Sequence, residues 1–439
     1  MKFLSRALVA FLLAAFVSQS TAQTSDWQHW RGPGATGVSA SGNPPLQWSE
    51  EKNVQWKVPV GEGITTPLIC GNKVFLLASN KTDRVDPKLT KPEDQPKENF
   101  FDIKTPNAFY KFEVLCLDRN SGKELWRKTA KELIPHEGVH QDNKFASASP
   151  ATDGERLYCW FGSAGLYCYD FDGNKVWNRD FGKAFVGSSL GEGASPAIHD
   201  GKLILLRDTS RKPMIWCLDT KTGDTIWEKE RDEENTWATP LIVDRNMVTQ
   251  VITTGSKFVR SYNLENGDII WQCSGMTGNC IPCPIVEGSK VFCMSGYKGH
   301  SLLAIDIDKK GDLTDSDAIA WRTRQGTPYI PSPVLYDGLL YFVQSNSNIL
   351  SVLDSKTGEQ IIKRTRIPGI KNVYGSPVGA AGRVYVTGRS GKTVVLKVGK
   401  EFEVLATNEL SERIDASAAI AGDQLFLRGE KSLYCIAAE

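Results

Sequence analysis

Short apolar runs, separated by polar turns built on Gly and Asp, recur along this chain from residue 53 to its end. Within a run the pattern follows the period of two expected of a strand in a packed sheet, as in residues 338–343. Beyond the first two dozen residues no 3.6-residue pattern competes with it. Runs joined by turns such as Asp200-Gly201 and Asp337-Gly338 read as β-hairpins. The expected elements are therefore strands throughout.

These strands come in a repeating unit. A small residue followed by Pro recurs at Thr66-Pro67, Ser149-Pro150, Ser195-Pro196, Thr239-Pro240, Cys283-Pro284, Ser332-Pro333 and Ser376-Pro377, and an eighth instance, Ser417-Ala418, has lost the Pro. The spacings from Pro67 onward are 83, 46, 44, 44, 49, 44 and 41 residues, a period near that of a four-stranded propeller blade. Each unit runs from the small-Pro pair through a strand, an Asp-Gly turn, a second strand, a polar turn and a third strand ending in Asp. A Thr-Gly-type turn then leads into a strand bearing a Trp, as in residues 218–227; residues 118–126, 170–177, 263–271 and, with an insertion, 306–321 close in the same way. The eighth unit stops after its third strand, whereas residues 53–58 form a Trp strand with no unit of their own. The fold expected is an all-β, eight-bladed β-propeller of four-stranded antiparallel blades. Its ring is closed by the N-terminal strand, residues 53–60, completing the last blade against residues 431–437, which leaves no open edge.

The motif Leu-Asp-x-x-Thr-Gly-x-x-x-Trp, together with the Ser-Pro strand start, resembles the pyrroloquinoline quinone (PQQ)-like repeat family. That family includes the propellers of quinoprotein alcohol dehydrogenases and the propeller lipoprotein of the bacterial outer-membrane barrel-assembly machinery. The resemblance covers residues 53–439, and the segment Asp26-Trp27-Gln28-His29-Trp30-Arg31-Gly32-Pro33-Gly34 is similar to the lead-in of exported members. One propeller scaffold hosts many activities, so the repeat implies the fold more than the function.

The first 22 residues read as a signal peptide: Lys2 and Arg6 precede an apolar stretch from Leu8 to Val17, and Ser20-Thr21-Ala22 supplies a small-residue cleavage site. Residues 23–52 form the lead-in and residues 53–439 the propeller. The first Cys is Cys70, so no lipid-anchor acceptor lies near the cleavage point. The expectation is a periplasmic or secreted protein without a membrane anchor, acting as a monomer. With 52 Lys and Arg against 51 Asp and Glu, nothing draws it to nucleic acid. Ten Cys in an exported chain invite a disulfide reading. Yet Cys116, Cys168, Cys217 and Cys435 occupy one position in four different units, the slot Ala304 takes in another. That places them beyond the roughly 7 Å Cα separation a disulfide spans, as buried free thiols.

The Trp residues recurring once per unit read as packing anchors. Trp237 falls outside the repeat, just before an innermost strand, and reads as a pocket residue. Two long insertions, residues 79–109 and 129–148, open on one propeller face, the second carrying His136, Glu137, His140 and Asp142. The second-to-third turns on that face carry a mostly positive set: Arg207, Asp208, Arg211 and Lys212; Lys257; Lys298 and His300; Arg389 and Lys392; Arg428, Glu430 and Lys431. A basic ring round a concave mouth would draw an anionic ligand, against the plainer reading that turn tips are polar. Cys280-Ile281-Pro282-Cys283 lacks the His of a haem segment and the second ligand pair of a zinc site, which leaves a local disulfide or two thiols.

The family resemblance implies, for an enzyme, a PQQ- and calcium-dependent quinoprotein dehydrogenase, often with two adjacent cysteines over the cofactor. This chain has no Cys-Cys pair, and no cofactor ligand carries over, although Glu192, Glu234, Asn235 and Asp415 lie near strand starts and could offer oxygens. The reading preferred is a non-catalytic binding or scaffold module, without cofactor or metal, that presents its loop-rich face to a protein or polymer. Its candidate ligand-binding residues are His140, Glu192, Trp237, Lys257, His300, Tyr329, Tyr374, Arg389 and Arg413.

Overall fold

The computed structural model describes residues 26–97 and 100–438. The expected signal peptide lies outside the described residues. Among these residues the chain forms eight sheets, with four short 3₁₀ turns and no α-helix. Among the described residues no helix is long and apolar enough to cross a membrane.

Each sheet is a blade, built outward from an innermost strand. In chain order the innermost strands are Leu68–Cys70, Ala151–Thr152, Ala197–His199, Leu241–Arg245, Ile285–Glu287, Val334–Tyr336, Val378–Ala380 and Ala419–Ala421, which number blades 1 to 8. Blade 3 shows the common plan: Ala197–His199, Lys202–Arg207, Met214–Asp219 and Thr225–Glu230 pair antiparallel in sequence order. The apolar core is divided into clusters shared between sheets, such as Leu203 and Leu205 of blade 3 with Tyr158 and Leu166 of blade 2.

The ring closes as the orphan Trp strand foretold. Val54–Pro59 pairs antiparallel with Ser432–Ile436, Trp56 opposite Cys435, and supplies the outer strand of blade 8. The backbone N–H groups of Val60 and Ala437 extend the ladder to Lys431 and Asn53 at 2.9 and 3.0 Å.

The repeated motif has a local cause. The third-strand Asp accepts turn N–H groups, as Asp219 does from Lys221 and Thr222 at 2.7 and 2.9 Å, and these bonds hold its carboxyl below the usual range. The carbonyl after that Asp is left free, and the Trp of the preceding blade takes it. Trp56, Trp126, Trp177, Trp227 and Trp321 donate Nε1–H to the carbonyls of Arg119, Phe171, Thr220, Leu264 and Ser355, at 2.8–3.0 Å. The turn Gly lies under the same ring: Gly223 has φ +77°, and a Cβ there would meet Trp177 at 2.7 Å. Gly is thus required twice over, for the left-handed backbone and for the ring above it. The Trp faces a small residue on its own sheet: Cys116, Cys168, Cys217 and Cys435 pair with Trp126, Trp177, Trp227 and Trp56, and Ala304 with Trp321. The four cysteines are buried and unbridged, and burial holds each thiol up near pKa 12.

Three junctions depart from this plan. In blade 4, Trp271 turns into its own sheet, donating to Gln250 Oε1, and the insertion in blade 5 adds Gly311–Asp312 parallel to Ile269–Cys273. Blades 6 and 7 have no Trp at this position; Ile362 faces Val352 and Ala406 faces Val395. There the lead-in takes over. Val38–Ser39 pairs parallel with blade 7. Trp48 stacks on Tyr385, and its backbone N–H reaches Asn408 Oδ1 at 2.9 Å. Glu50 accepts from Ser411 of the link to blade 8.

Candidate functional site

The small residue before each Pro has a role at the axis. The backbone N–H of one donates to the side chain of the next: Thr66 to Ser149, Ser149 to Ser195, Ser195 to Thr239, Thr239 to Cys283, Cys283 to Ser332, Ser332 to Ser376 and Ser376 to Ser417. These seven links, 2.9–3.0 Å long, form a belt round the channel neck. A side chain larger than Ser, Thr or Cys would break the ring, which explains the small residue the repeat conserves from blade to blade within this chain. Cys283 is one member of that belt, its Sγ in a hydroxyl's place. Cys280 is buried separately, and no disulfide joins them.

Above the belt lies a cavity of about 440 Å³. Its floor includes belt residues and Trp30 of the lead-in; its walls carry Trp237, Tyr297, Tyr329 and Tyr374. Tyr297 and Tyr329 stack with ring centroids 5.0 Å apart. Both long insertions reach the rim. Phe101 of the first meets His140 of the second edge-on at 5.0 Å, and Gly138 packs so tightly on Lys104 that a Cβ would strike its carbonyl. Four large apolar side chains on the first insertion, Val85, Leu89, Phe100 and Phe101, stay exposed, Phe100 to 85%.

The charges at the mouth are paired among themselves. Asp142 of the second insertion receives Arg389 Nη2 at 2.6 Å and Arg413 Nη2 at 2.8 Å. Asp415 takes Arg389 Nε at 2.7 Å and Arg413 Nε at 2.9 Å, and Tyr374 donates to Asp142 at 3.1 Å. The Arg389 guanidinium lies 3.7 Å from the Tyr374 ring centre. Burial, with the Asp142 carboxylate adding to it, pushes Asp415 up to about 6.

Of the nine residues singled out from the sequence, His140, Trp237, Tyr329 and Tyr374 line the cavity. Arg389 and Arg413 border it through Asp142 and Asp415. Glu192 belongs to a separate pocket of about 110 Å³ with His136 and Glu137; its Oε1 is held by Ser163, while Oε2 is buried without a partner. Lys257 is exposed beyond the cavity, and His300 contacts Thr327 at 3.0 Å outside the lining. The expected basic ring is also thinner than the turns suggest. Arg207 is buried against the carbonyls of Phe181 and Gly182, and Arg428 against that of Leu77. Neither side chain faces the mouth, because each reaches inward for backbone acceptors. Sequence reasoning passed over Tyr297, Phe101 and Trp30. Tyr297 and Phe101 carry the turn-and-insertion signal already used for that face, whereas nothing local announces that the lead-in reaches the floor.

The oxygens considered for calcium do not gather. Glu192 faces Ser163, Asn235 faces Gly187 and Ser210, Asp415 is bound by two arginines and Glu234 is exposed. Among the described residues no group of three His, Cys, Asp or Glu is arranged to hold a metal ion. The four oxygens singled out therefore do not converge on one calcium cage.

The sequence profile of the family described as outer membrane protein assembly factor BamB matches residues 111–364 and 249–439. No curated protein sequence matches the chain. Among solved structures it resembles BamB from Moraxella catarrhalis at 13% identity and TM-score 0.53, covering 81% of this chain and 97% of that one. It also resembles the quinohemoprotein alcohol dehydrogenase from Comamonas testosteroni at 10% identity and TM-score 0.63, covering 95% and 81%. The computationally designed Ika8 protein is similar at 9% identity and TM-score 0.56, covering 86% and 97%. At these identities the structural likenesses establish the propeller fold alone.

Proposed function

From the chain's membership of the PQQ-repeat propeller family described as outer membrane protein assembly factor BamB, we propose that it is an exported, non-catalytic binding module working through its insertion-bearing face. The observation that carries this reading is the exposed apolar group Val85, Leu89, Phe100 and Phe101 beside an aromatic-lined mouth. Exposed apolar side chains on an otherwise polar loop, two of them (Phe100 and Phe101) in ring contact, suit a contact surface. The charges nearby are already mutually neutralised, so the attraction expected for an anionic polymer is supplied by few free groups, and an apolar protein segment is the better-matched partner. The chain would act in the periplasm or outside the cell after removal of residues 1–22.

The dehydrogenase alternative would need a free carboxylate base and a calcium cage at the axis. The two carboxylates at the mouth, Asp142 and Asp415, are instead engaged by Arg389 and Arg413. The decisive experiment pairs two measurements. Dye reduction with added PQQ, calcium and a range of alcohols and sugars is expected to stay at background. A photo-crosslinker at position 100 is expected to capture one defined envelope protein, and Leu89→Ser with Phe101→Ser, made in the crosslinker-bearing protein, to abolish that capture. Quinone-dependent turnover would overturn the reading.

A further inference from the structure

We propose that the neck of the central channel is a binding site for a small anion, of chloride size or the carboxylate group of a larger molecule, held between the Arg31 guanidinium and the hydroxyls of the belt. This goes beyond the proposed binding function and does not depend on it.

The belt is a ring of hydrogen-bond donors. Ser149, Ser195, Thr239, Ser376 and Ser417 all line the cavity and are all more than nine-tenths buried. Each side-chain oxygen accepts a backbone N–H from the blade before it. Among the described residues Thr239 turns its hydroxyl to the Cys283 sulfur, whereas none of the four serines donates its own proton. A hydroxyl has one proton to give, and a buried one left ungiven is costly. Four such protons on one ring ask for a species that accepts from several directions and need not donate. That describes an anion better than a water molecule.

Beneath the ring lies a cation with no anion. Arg31 is 1% exposed. Its Nη2 donates to the carbonyls of Pro333 and Pro377 at 2.8 and 2.9 Å, the residues that follow belt members Ser332 and Ser376. Its Nε and Nη1 are buried without partners, and it forms no ion pair among the described residues. The guanidinium is near enough to belt member Cys283 to favour that residue's thiolate form, against the burial that disfavours it. Burial brings the Arg31 pKa down only to about 10, so the group stays charged at neutral pH. A buried charge without a counter-charge is among the least favourable arrangements a fold can contain. Arg428, buried and likewise without a carboxylate, differs in having acceptors on both terminal nitrogens, and the buried Arg231 is paired with Asp208. The lead-in is shaped to deliver Arg31: Gly37 has φ +76°, and a Cβ there would fall on Nη2.

The test uses the full mature protein, exchanged into a bulky organic sulfonate buffer and titrated at constant ionic strength with chloride or with formate. The melting temperature of the native protein is expected to rise and saturate. Arg31→Gln is expected to raise the half-saturation concentration by about tenfold or more, the loss of one charged hydrogen-bonding partner. Cys283→Ser, which exchanges a weak S–H donor for O–H, is expected to lower it severalfold. Crystals of native protein soaked in bromide should show anomalous scattering at the neck. A response to both anions, or to formate alone, supports the proposal, the second identifying a carboxylate-bearing ligand. Non-saturating salt curves that are the same for native protein and Arg31→Gln, or ordered water and no bromide at the neck, would overturn it. If Arg31→Gln does not fold, the bromide and Cys283→Ser results decide. Partner capture at position 100 is read separately, so either proposal can fail alone.

Discussion

Blades 1 to 4 and blades 6 to 8 solve the same problem in different ways. From the closing strand of blade 8 through blade 3, each outer-strand Trp pins the next blade's turn by one hydrogen bond and by its ring over the turn Gly. At the junctions from blade 6 to 7 and from 7 to 8 that device is missing, and a segment from outside the repeat array is laid across the gap. Arg31 joins blade 6 to blade 7 through Pro333 and Pro377, Val38–Ser39 adds a strand to blade 7, and Trp48 with Glu50 ties blade 7 to blade 8. Adhesion between blades is therefore interchangeable between a residue written into every repeat and a strap written once. The strap has a second effect that the Trp residues cannot have: it covers one end of the channel and so makes the other end a pocket.

The largest effect should come from removing the strap. Deleting residues 26–52 from the mature chain is expected to lower the melting temperature more than any substitution described next. Amide exchange should accelerate in blades 6 to 8 while blades 2 and 3 stay protected. Uniform acceleration would mean that the two regions are not independently held. At a pinned junction, Trp227→Ala should cost about 3–5 kcal/mol in urea unfolding, as for other buried Trp residues, whereas Ile362→Val at an unpinned one should cost about 0.5–1.5 kcal/mol. Equal costs would erase the distinction.

A finer test separates ring from backbone. Gly223→Ala should cost about 2–3 kcal/mol, part for the positive φ and part for the collision with Trp177. In a Trp177→Ala background only the backbone part, about 1 kcal/mol, should remain. Additive costs would show that the ring does not press on the turn.

The smallest effect is a difference in acid sensitivity. Burial, helped by Arg31, depresses His29 of the strap to about 4. The folded state thus favours the neutral ring, so its contribution is complete above about 6.5 and is lost as pH falls toward 4. The side chain is partly exposed, which limits the loss to about 1–2 kcal/mol. The turn carboxylates Asp118, Asp170, Asp219 and Asp354 are also held low, and their contributions vanish only below the ordinary carboxylate range. Between pH 6.5 and 4.5 the strap should loosen first, and His29→Gln should flatten that part of the stability curve. Identical pH curves for the two proteins would remove His29 from the account.

Most of the architecture was legible because it repeats. Seven small-Pro starts and the Pro-less Ser417-Ala418 gave the blade count, the orphan strand at Trp56 gave the closure, and the shared slot of Cys116, Cys168, Cys217 and Cys435 gave their burial as free thiols. The mouth was legible only as a face. The sequence places Arg389, Arg413 and Tyr374 in channel-side turns, but no local pattern reports that Asp142, some 250 residues away along the chain from Arg389, comes to neutralise them. Likewise Arg207 and Arg428 read as turn tips because polarity says nothing of direction, and both turn inward to backbone carbonyls. Arg31 and Trp30 looked like part of a lead-in, since a contact with Pro333 or Pro377 leaves no mark on the neighbouring residues.

The closure of blade 8 also bears on how the polypeptide reaches its native state. Val54–Pro59 leaves the ribosome, and any export pore, hundreds of residues before Ser432–Ile436, the strand it must join. Throughout that interval the early strand and the growing array's last blade both present unsatisfied edges. Such separation in sequence slows productive pairing and lengthens exposure to wrong partners. A circularly permuted gene that starts at residue 61 and appends a flexible linker and residues 26–60 after the final strand, so that the strap is kept, would make every blade local, and should refold faster and tolerate crowded conditions better than the natural order.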